Sequence, residues 1–380
     1  MKTVAIFSTT RGDISILSPL IKEIQRQKNL NYLFFIGGTH LKKDYGNTIN
    51  EIKKIKIKVR DKFNYIIKGD SCKNILSSLS DCHEVVSKIF EKYKFDIVCI
   101  LGDRFEKLAI VNNSIIYKKP LIHLHGGEIT EGVIDNQIRQ MISKAAHLHF
   151  VICEQYKQNL IFIGENVKRI FNYGSLAVDT IKNIKKISKS KLFKFLNLNE
   201  NIPVILLTYH PTTLENKISN KKQIKNIFDS LKNKKFQIIV TSPGHEVGRL
   251  EIENYIRKFT IKNKKIIYIK SLGHKLLFNL LPHCEFMIGN SSAGIIEAPF
   301  FRIPTINIGD RQKGRYMHKS IINSNYSVSS IAQAIRKACS NSFKIKVKKV
   351  NYIFGSGNAA KRIVKKINNL KINQKLLRKK

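Results

Sequence analysis

Short runs of apolar residues recur along the first half of the chain, separated by longer stretches of mixed polar and apolar residues. Buried strands of a parallel sheet read as near-continuous apolar runs, and helices fill the stretches between them. The alternation therefore predicts an α/β fold with a doubly wound parallel sheet. The predicted strands are Val4–Ser8, Leu33–Ile36, Ile97–Leu101, Leu121–Leu124 and His149–Ile152.

The strand pattern weakens in the lysine-rich stretch 181–194 and then restarts. Because 380 residues exceed one comfortable hydrophobic core, we expect two Rossmann-like domains, residues 1–178 and 179–357. The last stretch, 358–380, predicts a helix whose lysines form a solvated face. The strands predicted for the second domain are Val204–Thr208, Gln237–Thr241, Ile266–Ile269, Phe286–Ile288 and Thr305–Ile308.

Composition changes this picture little. The formal net charge of +41 invites a nucleic-acid partner, but the lysines are spread over most predicted helices and loops, and no RNA-binding motif with interleaved aromatic residues is present. We expect no nucleic-acid partner and a positive field that attracts anionic small molecules. The six cysteines form no CxxC pair and no His/Cys cluster, so neither a disulfide framework nor a metal site is predicted.

No apolar run approaches the length needed to cross a bilayer, and none near Met1 is long enough for a signal peptide. We therefore expect a cytoplasmic protein without a membrane partner.

Three acidic residues follow predicted strands. Asp103 comes after Ile97–Leu101, Glu128 ends a Gly-Gly-Glu triplet after Leu121–Leu124, and Asp135 follows seven residues later. Open α/β sheets bind ligands beyond the carboxyl ends of their strands. Each acid alone is typical of a solvated loop or a helix N-cap. Together they predict a catalytic acid/base cluster.

A glycine- and serine-rich loop, 289–294, follows the strand Phe286–Ile288 and precedes a predicted helix at 295–298. Ser291, Ser292 and a helix start favour a bound diphosphate, although a serine-capped helix is the alternative. Glu297 in that helix is a candidate acceptor for ribose hydroxyls or a member of a capping box.

Further candidate substrate contacts follow other strands. Arg311, in a basic loop after Thr305–Ile308, would add a cation to the same anion. Arg11 and Asp13 lie between the first strand and its helix, where Asp13 is also a possible cap. His210, which precedes a proline, is either a structural histidine or a donor to a leaving phosphate.

These motifs resemble the UDP-N-acetylglucosamine 2-epimerases, specifically the hydrolysing branch that supplies N-acetylmannosamine for sialic acid-type sugars. The resemblance runs from Lys2 to about Arg315, and the Gly-Gly-Glu triplet is typical of the hydrolysing branch. One departure is Arg11-Gly12-Asp13-Ile14, where the family often has an aromatic fourth residue. The matching stretches are 101–106, 123–128, 134–139, 173–175, 289–294 and 307–315.

The resemblance implies a GT-B-like pair of Rossmann-like domains facing each other across a cleft, with the C-terminal helix crossing back to the first. It implies a homodimer, a nucleotide-sugar substrate, and no metal or cofactor. The reaction would eliminate UDP across sugar carbons 1 and 2 and hydrate the resulting glycal with inversion at carbon 2. By the same resemblance, Asp103, Glu128 and Asp135 are acid/base residues, His210 lies beside the diphosphate, and Arg139 belongs to the substrate site.

Two alternatives remain open at this stage. The same reaction on a nucleotide-linked 2,4-diacetamido-2,4,6-trideoxyglucose, for legionaminic acid-type sugars, shares all the motifs. A basic nucleotide- or nucleic-acid-binding protein without catalysis is the alternative from another class. The intact acids Asp103, Glu128 and Asp135 argue against it.

Overall fold

The computed structural model describes residues 1–46, 48–214, 217–232, 234–261, 263 and 265–379. The described chain divides into two compact units. The first contains Met1–Glu128, Asp135–Asn183 and Ile353–Lys380, and the second contains Ile129–Ile134 and Ile184–Tyr352. The predicted division after residue 178 therefore lies inside a helix that stays with the first unit. Residues 129–134 belong to the second unit, although the residues on either side belong to the first.

The first unit is built on a parallel sheet that has seven strands among the described residues, in the order β3-β2-β1-β4-β5-β6-β7. The strands are β1 Lys2–Ser8, β2 Leu30–Gly37, β3 Asp61–Phe63, β4 Ile97–Leu101, β5 Leu121–Leu124, β6 Leu148–Val151 and β7 Ile170–Asn172. The helices between them are α1 Asp13–Gln25, α2 Ile49–Lys54, α3 Cys72–Lys92, α4 Lys107–Ile116, α5 Asp135–Ala145, α6 Glu154–Phe162 and α7 Leu176–Asn183.

The second unit repeats this architecture with six parallel strands in its described part, in the order β10-β9-β8-β11-β12-β13. The strands are β8 Val204–Thr208, β9 Gln237–Thr241, β10 Ile266–Ile269, β11 Cys284–Gly289, β12 Thr305–Ile308 and β13 Ile321–Ser324. The helices are α8 Lys189–Phe195, α9 Asn220–Leu231, α10 Arg249–Ile261, α11 Gly273–Leu280, α12 Val328–Cys339 and α13 Asn341–Lys348. The predicted fold class, two doubly wound parallel-sheet α/β domains, is confirmed.

Both faces of the first sheet are buried. Alternate residues of β1 point to opposite sides: Val4 and Ile6 join a core with α1, whereas Ala5 and Phe7 join a core with α3 and α4. Burial on both sides explains why the strands read as continuous apolar runs. In each sheet the strand order reverses once, between β1 and β4 and between β8 and β11. The carboxyl ends of these strands are where ligands bind in such folds.

The C-terminal stretch returns to the first unit, as predicted. It forms two helices, α14 Ala359–Asn368 and α15 Gln374–Leu377, in place of the single predicted helix, because Asn373 caps the start of the second. Lys380 lies outside the described residues. The apolar face of α14 joins the core around α1. Within the described residues, no helix is both long and apolar enough to cross a membrane.

Candidate active site

The predicted acidic cluster lies at the carboxyl ends of β4 and β5 in the first unit. Asp103 follows β4 by two residues, Glu128 follows β5 by four, and Asp135 is the first residue of α5. Arg139, one turn further along α5, is almost completely buried. Its guanidinium forms an ion pair with the Asp103 carboxylate and donates a hydrogen bond of 2.7 Å to the backbone carbonyl of Glu128.

The charge of the buried Arg139 guanidinium interacts with all three acids. Burial alone would lower the pKa of Arg139, but the negative charges of Asp103, Glu128 and Asp135 raise it above its ordinary value. Glu128 and Asp135 are themselves buried. The structure thus groups the three predicted acids around one fixed cation. Such an arrangement can hold carboxylates in defined positions for proton transfer.

A buried histidine that sequence reasoning did not single out links the loop after β4 to helix α5. His123 in β5 donates from Nε2 to the carbonyl of Gly102 at 2.9 Å, and its Nδ1 lies 3.1 Å from the hydroxyl of Ser143. Because Nε2 faces a carbonyl, that nitrogen carries a proton. Burial, with His149 nearby, lowers the pKa of His123 to about 3. His123 is therefore a neutral side chain that holds the backbone next to Asp103 through the carbonyl of Gly102.

The Gly-Gly-Glu triplet is required by the backbone. Gly127 has φ = +79°, and a Cβ atom there would clash with the carbonyl oxygen of Tyr156. The carbonyl of Gly127 accepts a hydrogen bond of 2.8 Å from the Asn159 side chain. His125 also has a left-handed backbone, and its Nδ1 lies 3.4 Å from Oε1 of Glu128. The tight turn sets the direction of the backbone at Glu128 after β5 ends.

The Asp13 carboxylate is held within the turn between β1 and α1. Its carboxylate accepts hydrogen bonds from the backbone of Thr9 at 2.8 Å and the hydroxyl of Thr10 at 2.7 Å. It also forms a 2.9 Å ion pair with Lys107, which is fully buried. Burial alone would raise the pKa of Asp13, but Lys107 and these donors hold it below its ordinary value. These contacts give Asp13 a structural role in the turn that carries Arg11.

In the second unit, Asn290 joins the carboxyl ends of β8 and β11. Its side chain accepts from the His210 backbone N–H at 2.7 Å and donates to the His210 carbonyl at 2.8 Å. Nδ1 of His210 accepts a hydrogen bond of 2.9 Å from the backbone N–H of Gly244. The proton of the neutral ring therefore lies on Nε2. A donor on the ring is what a role beside a phosphate would require.

The helix predicted at 295–298 is wrong. The chain forms two short 3₁₀ turns, Ser292–Gly294 and Ala298–Phe301, because Pro299 lacks the N–H that a continuing helix needs. Ser291 caps the first turn by accepting from the backbone N–H of Ala293 at 3.3 Å. The loop retains its small residues, but it has no long helix behind it to provide a macrodipole.

Arg311 lies close to this loop. Its guanidinium donates to the carbonyl of Asn290 at 3.3 Å and forms a 3.1 Å ion pair with Glu246, which sequence reasoning missed. Gln312 donates to the same carbonyl at 2.7 Å. Nε of Arg311 is buried and has no hydrogen-bond partner among the described residues. Arg311 thus holds the loop that carries Ser291 and Ser292. Its Nε–H remains available to one further acceptor.

Glu297 is buried in the same unit, near an aromatic group that the sequence did not indicate. Tyr352 has its pKa raised well above the ordinary value, mainly by burial and further by the charge of Glu297. Its ring stacks on His318 with centroids 5.4 Å apart. No motif signals this grouping, because Tyr352 and His318 are distant from Glu297 in sequence. Among the described residues, no group of three or more His, Cys, Asp or Glu side chains could hold a metal ion.

Comparison with known proteins identifies the family and the fold. Residues 22–368 match the family model described as UDP-N-acetylglucosamine 2-epimerase. A solved UDP-GlcNAc 2-epimerase from Neisseria meningitidis, bound to UDP-GlcNAc, superposes with a TM-score of 0.80 at 19% identity, covering 97% of this chain and 99% of that chain. The family model defines the class, a 2-epimerase of nucleotide-linked sugars, and the fold agrees with it. The chain belongs to the UDP-N-acetylglucosamine 2-epimerase family.

Three relatives cover most of the chain. A Campylobacter jejuni protein named GDP/UDP-N,N'-diacetylbacillosamine 2-epimerase (hydrolyzing) is 39% identical over 347 residues, 90% of this chain and 89% of the relative. A Legionella pneumophila protein named UDP-N,N'-diacetylbacillosamine 2-epimerase (hydrolyzing) is 30% identical over 385 residues, 100% of this chain and 99% of its own. A Neisseria meningitidis UDP-N-acetylglucosamine 2-epimerase is 31% identical over 341 residues, 90% and 88% of the two chains.

Proposed function

We propose that this protein hydrolyses a nucleotide-linked 2,4-diacetamido-2,4,6-trideoxyglucose, that is N,N'-diacetylbacillosamine, with inversion at carbon 2. The products are the free 2-epimer and the nucleoside diphosphate. The higher identity to the Campylobacter jejuni relative, 39% against 31% for the Neisseria meningitidis relative, supports this substrate over UDP-N-acetylglucosamine. The alternative substrate of the sequence interpretation thus becomes the leading one.

The observation that carries the proposed chemistry is the cluster of Asp103, Glu128 and Asp135 around Arg139. A carboxylate removes the proton from carbon 2 while the bond between carbon 1 and the diphosphate oxygen breaks, which gives a glycal. A carboxylic acid then returns a proton to carbon 2 from the opposite face, and water adds at carbon 1. Each positioned proton-transfer group contributes roughly 10²–10⁴-fold to the rate. The individual steps are not assigned to particular acids.

The second unit supplies the groups for the leaving nucleoside diphosphate. His210 donates from Nε2, and Ser291, Ser292 and Arg311 offer hydroxyl and guanidinium donors. Hydrogen bonds to a developing phosphate charge stabilise the transition state of the elimination. Glu297 is proposed as the acceptor of ribose hydroxyls, and Arg11 as a further contact with the substrate. Asp13 stays a proposed contact in the same turn, where its carboxylate also binds the backbone of Thr9 and pairs with Lys107.

UDP-N-acetylglucosamine is the second candidate substrate. It is favoured by the Neisseria meningitidis relative, which covers 90% of this chain. The two candidates differ at sugar carbons 4 and 6, away from the reacting carbons, so the acidic cluster serves either one.

The test is a direct competition. The purified protein is given UDP- and GDP-linked N,N'-diacetylbacillosamine and UDP-N-acetylglucosamine, and the released sugars are identified by NMR. We expect kcat/KM to be at least tenfold higher for one of the diacetamido substrates. A preference for UDP-N-acetylglucosamine would make the second candidate the function. Release of nucleotide without inversion at carbon 2 would contradict both.

A further inference from the structure

The six residues Ile129–Ile134 connect two of the proposed catalytic acids. Glu128 precedes the segment and Asp135 follows it. The segment itself groups with the second unit, whereas both acids group with the first. We call residues 129–134 the connecting segment. Its position raises the question of what holds it there.

Hydrogen bonds fix the connecting segment at three points. The backbone N–H of Glu131 donates to the carbonyl of Lys313 at 3.0 Å. The N–H of Ile134 donates to the hydroxyl oxygen of Thr213 at 3.1 Å. The N–H of Leu214 donates to the carbonyl of Gly132 at 3.3 Å. The partners come from two loops of the second unit, those after β8 and β12.

The connecting segment also packs tightly against the loop after β12. A Cβ atom added at Gly132 would lie 2.7 Å from the carbonyl oxygen of Asp310 and 2.8 Å from the backbone nitrogen of Arg311. Gly314 is equally tight, since a Cβ there would lie 2.5 Å from Ile129. The segment thus lies against the backbone of the loop that carries Arg311. The exposed ion pair between Glu131 and Lys313 adds little to this, because exposed pairs contribute about 0–1 kcal/mol.

We infer that the connecting segment positions Glu128 and Asp135 according to the state of the nucleotide-binding loops. The inference rests on the proposed function, since it assigns the loops of His210 and Arg311 to a nucleoside diphosphate. A nucleoside diphosphate that stabilises these loops in the docked arrangement also stabilises the segment, and through it the acids at both ends. Proton abstraction by these acids thereby depends on a nucleoside diphosphate being bound to the loops. Gly132 and Thr213 are positioning residues, because they act through the segment.

The variants follow from these contacts. Gly132→Ala pushes the segment away from Asp310, and Thr213→Val removes the acceptor for Ile134 while keeping the shape of the side chain. Thr213→Ser retains the hydroxyl and is the matched control. A misplacement of about 1 Å can cost about 10²-fold in rate, so we expect kcat of Gly132→Ala to fall about 100-fold. Loss of one hydrogen bond should lower kcat of Thr213→Val about tenfold, with Thr213→Ser near the wild type.

Two binding measurements separate positioning from general damage. Calorimetry with UDP, and with GDP in parallel, should give a Kd within twofold of the wild type for Thr213→Ser and a higher Kd for Gly132→Ala and Thr213→Val, because coupling between the nucleotide and the segment is reciprocal. Hydrogen exchange should show that the nucleotide protects the amides of Glu131 and Ile134 in the wild type and not in Gly132→Ala. A KM effect without a kcat effect, or normal kcat in both Gly132→Ala and Thr213→Val, would overturn the inference.

The same experiment distinguishes the inference from the proposed function. If neither UDP nor GDP binds the wild-type protein, the proposed function fails and the inference fails with it. If a nucleotide binds and protects the loop 289–294 but leaves the amides of 129–134 unprotected, only the inference fails. If Gly132→Ala does not fold, as judged by its urea transition, the comparison of Thr213→Val with Thr213→Ser still decides the question.

Discussion

At the scale of single residues, the acidic cluster depends on Arg139. Sequence motifs predicted Asp103, Glu128 and Asp135, and listed Arg139 as a substrate contact. The structure places its guanidinium among the acids, with one nitrogen on Asp103 and another on the Glu128 carbonyl. Only arginine offers several fixed donors on one planar group. The role of Arg139 could not be predicted from the sequence. It depends on how α5 packs, which places the Arg139 side chain against the loop after β5.

Replacing Arg139 tests this role. Arg139→Lys retains the charge but cannot donate to both Asp103 and Glu128, so we expect kcat to fall about 100-fold. Steady-state kinetics measures the change, and calorimetry should show nucleotide affinity within a factor of about two. Arg257→Lys is the matched control, because Arg257 pairs with Glu253 by a 2.7 Å ion pair on a different helix. Equal activity of both variants would show that Arg139 does not organise the acids.

His123 predicts a pH dependence of stability. Its pKa is about 3 in the folded protein, against an ordinary value of 6.5. Between these values the unfolded chain binds a proton that the folded chain excludes. The stabilisation is complete above pH 6.5 and is lost progressively as the pH falls, by about 1.4 kcal/mol per pH unit.

The comparison is between the wild type and His123→Gln, which retains a donor but does not titrate. Urea unfolding at pH 7.5, 6.5 and 5 should show a shallower decrease in unfolding free energy for the variant. The expected difference between pH 6.5 and 5 is about 2 kcal/mol. Parallel curves would mean that His123 is not held neutral.

At the scale of secondary structure elements, the sequence predicted the central strands and the edge strand β10, and missed the other three edge strands. All ten predicted strands are present, whereas β3, β7 and β13 were missed. These three edge strands have three or four residues and include polar ones, such as Asp61, Asn172 and Asn323, which interrupt any apolar run. The false helix at 295–298 followed from reading Ile295 and Ile296 as a helix start without weighing Pro299.

The return of the C-terminal helix also depends on a contact that spacing cannot reveal. Asp179, in α7, accepts hydrogen bonds from the backbone N–H groups of Ala359 at 3.2 Å and Ala360 at 3.1 Å. A carboxylate thereby caps the first turn of α14 from a distant part of the chain. Burial raises the pKa of Asp179 above its ordinary value.

Asp179→Ala should therefore destabilise α14. We expect a loss of about 1 kcal/mol in unfolding free energy, since the variant leaves two helix-start donors without an acceptor. Hydrogen exchange should show faster exchange at the start of α14 and little change in α12. Exchange that stays at the wild-type rate in α14 would show that the cap does not hold the helix.

At the scale of the whole molecule, the net charge of +41 creates a positive electrostatic potential around the protein. A nucleotide sugar carries a diphosphate, and a positive field raises the association rate of such an anion. The field is screened by salt, with a Debye length of about 10 Å at 0.1 M. The homodimer implied by the family resemblance stays a prediction, which light scattering can test.

The field predicts a salt effect on capture of the substrate. Raising NaCl from 20 to 200 mM should lower kcat/KM about three- to tenfold and leave kcat nearly unchanged, because screening acts on encounter and not on the bound complex. Uncharged sucrose at matched osmolality serves as the control. A fall in kcat with constant KM would point instead to an effect of salt on the acidic cluster.

The most direct test of the proposed chemistry is the fate of the hydrogen at carbon 2. Turnover of nucleotide-linked N,N'-diacetylbacillosamine in heavy water should give an inverted sugar with deuterium at carbon 2, because the proton is abstracted and then replaced from solvent. Glu128→Gln and Asp103→Asn should fold normally and lose most of this turnover, since an amide cannot exchange a proton with carbon 2. An inverted product that retains the original hydrogen, or near wild-type turnover in both variants, would contradict the elimination mechanism and the role of the acidic cluster.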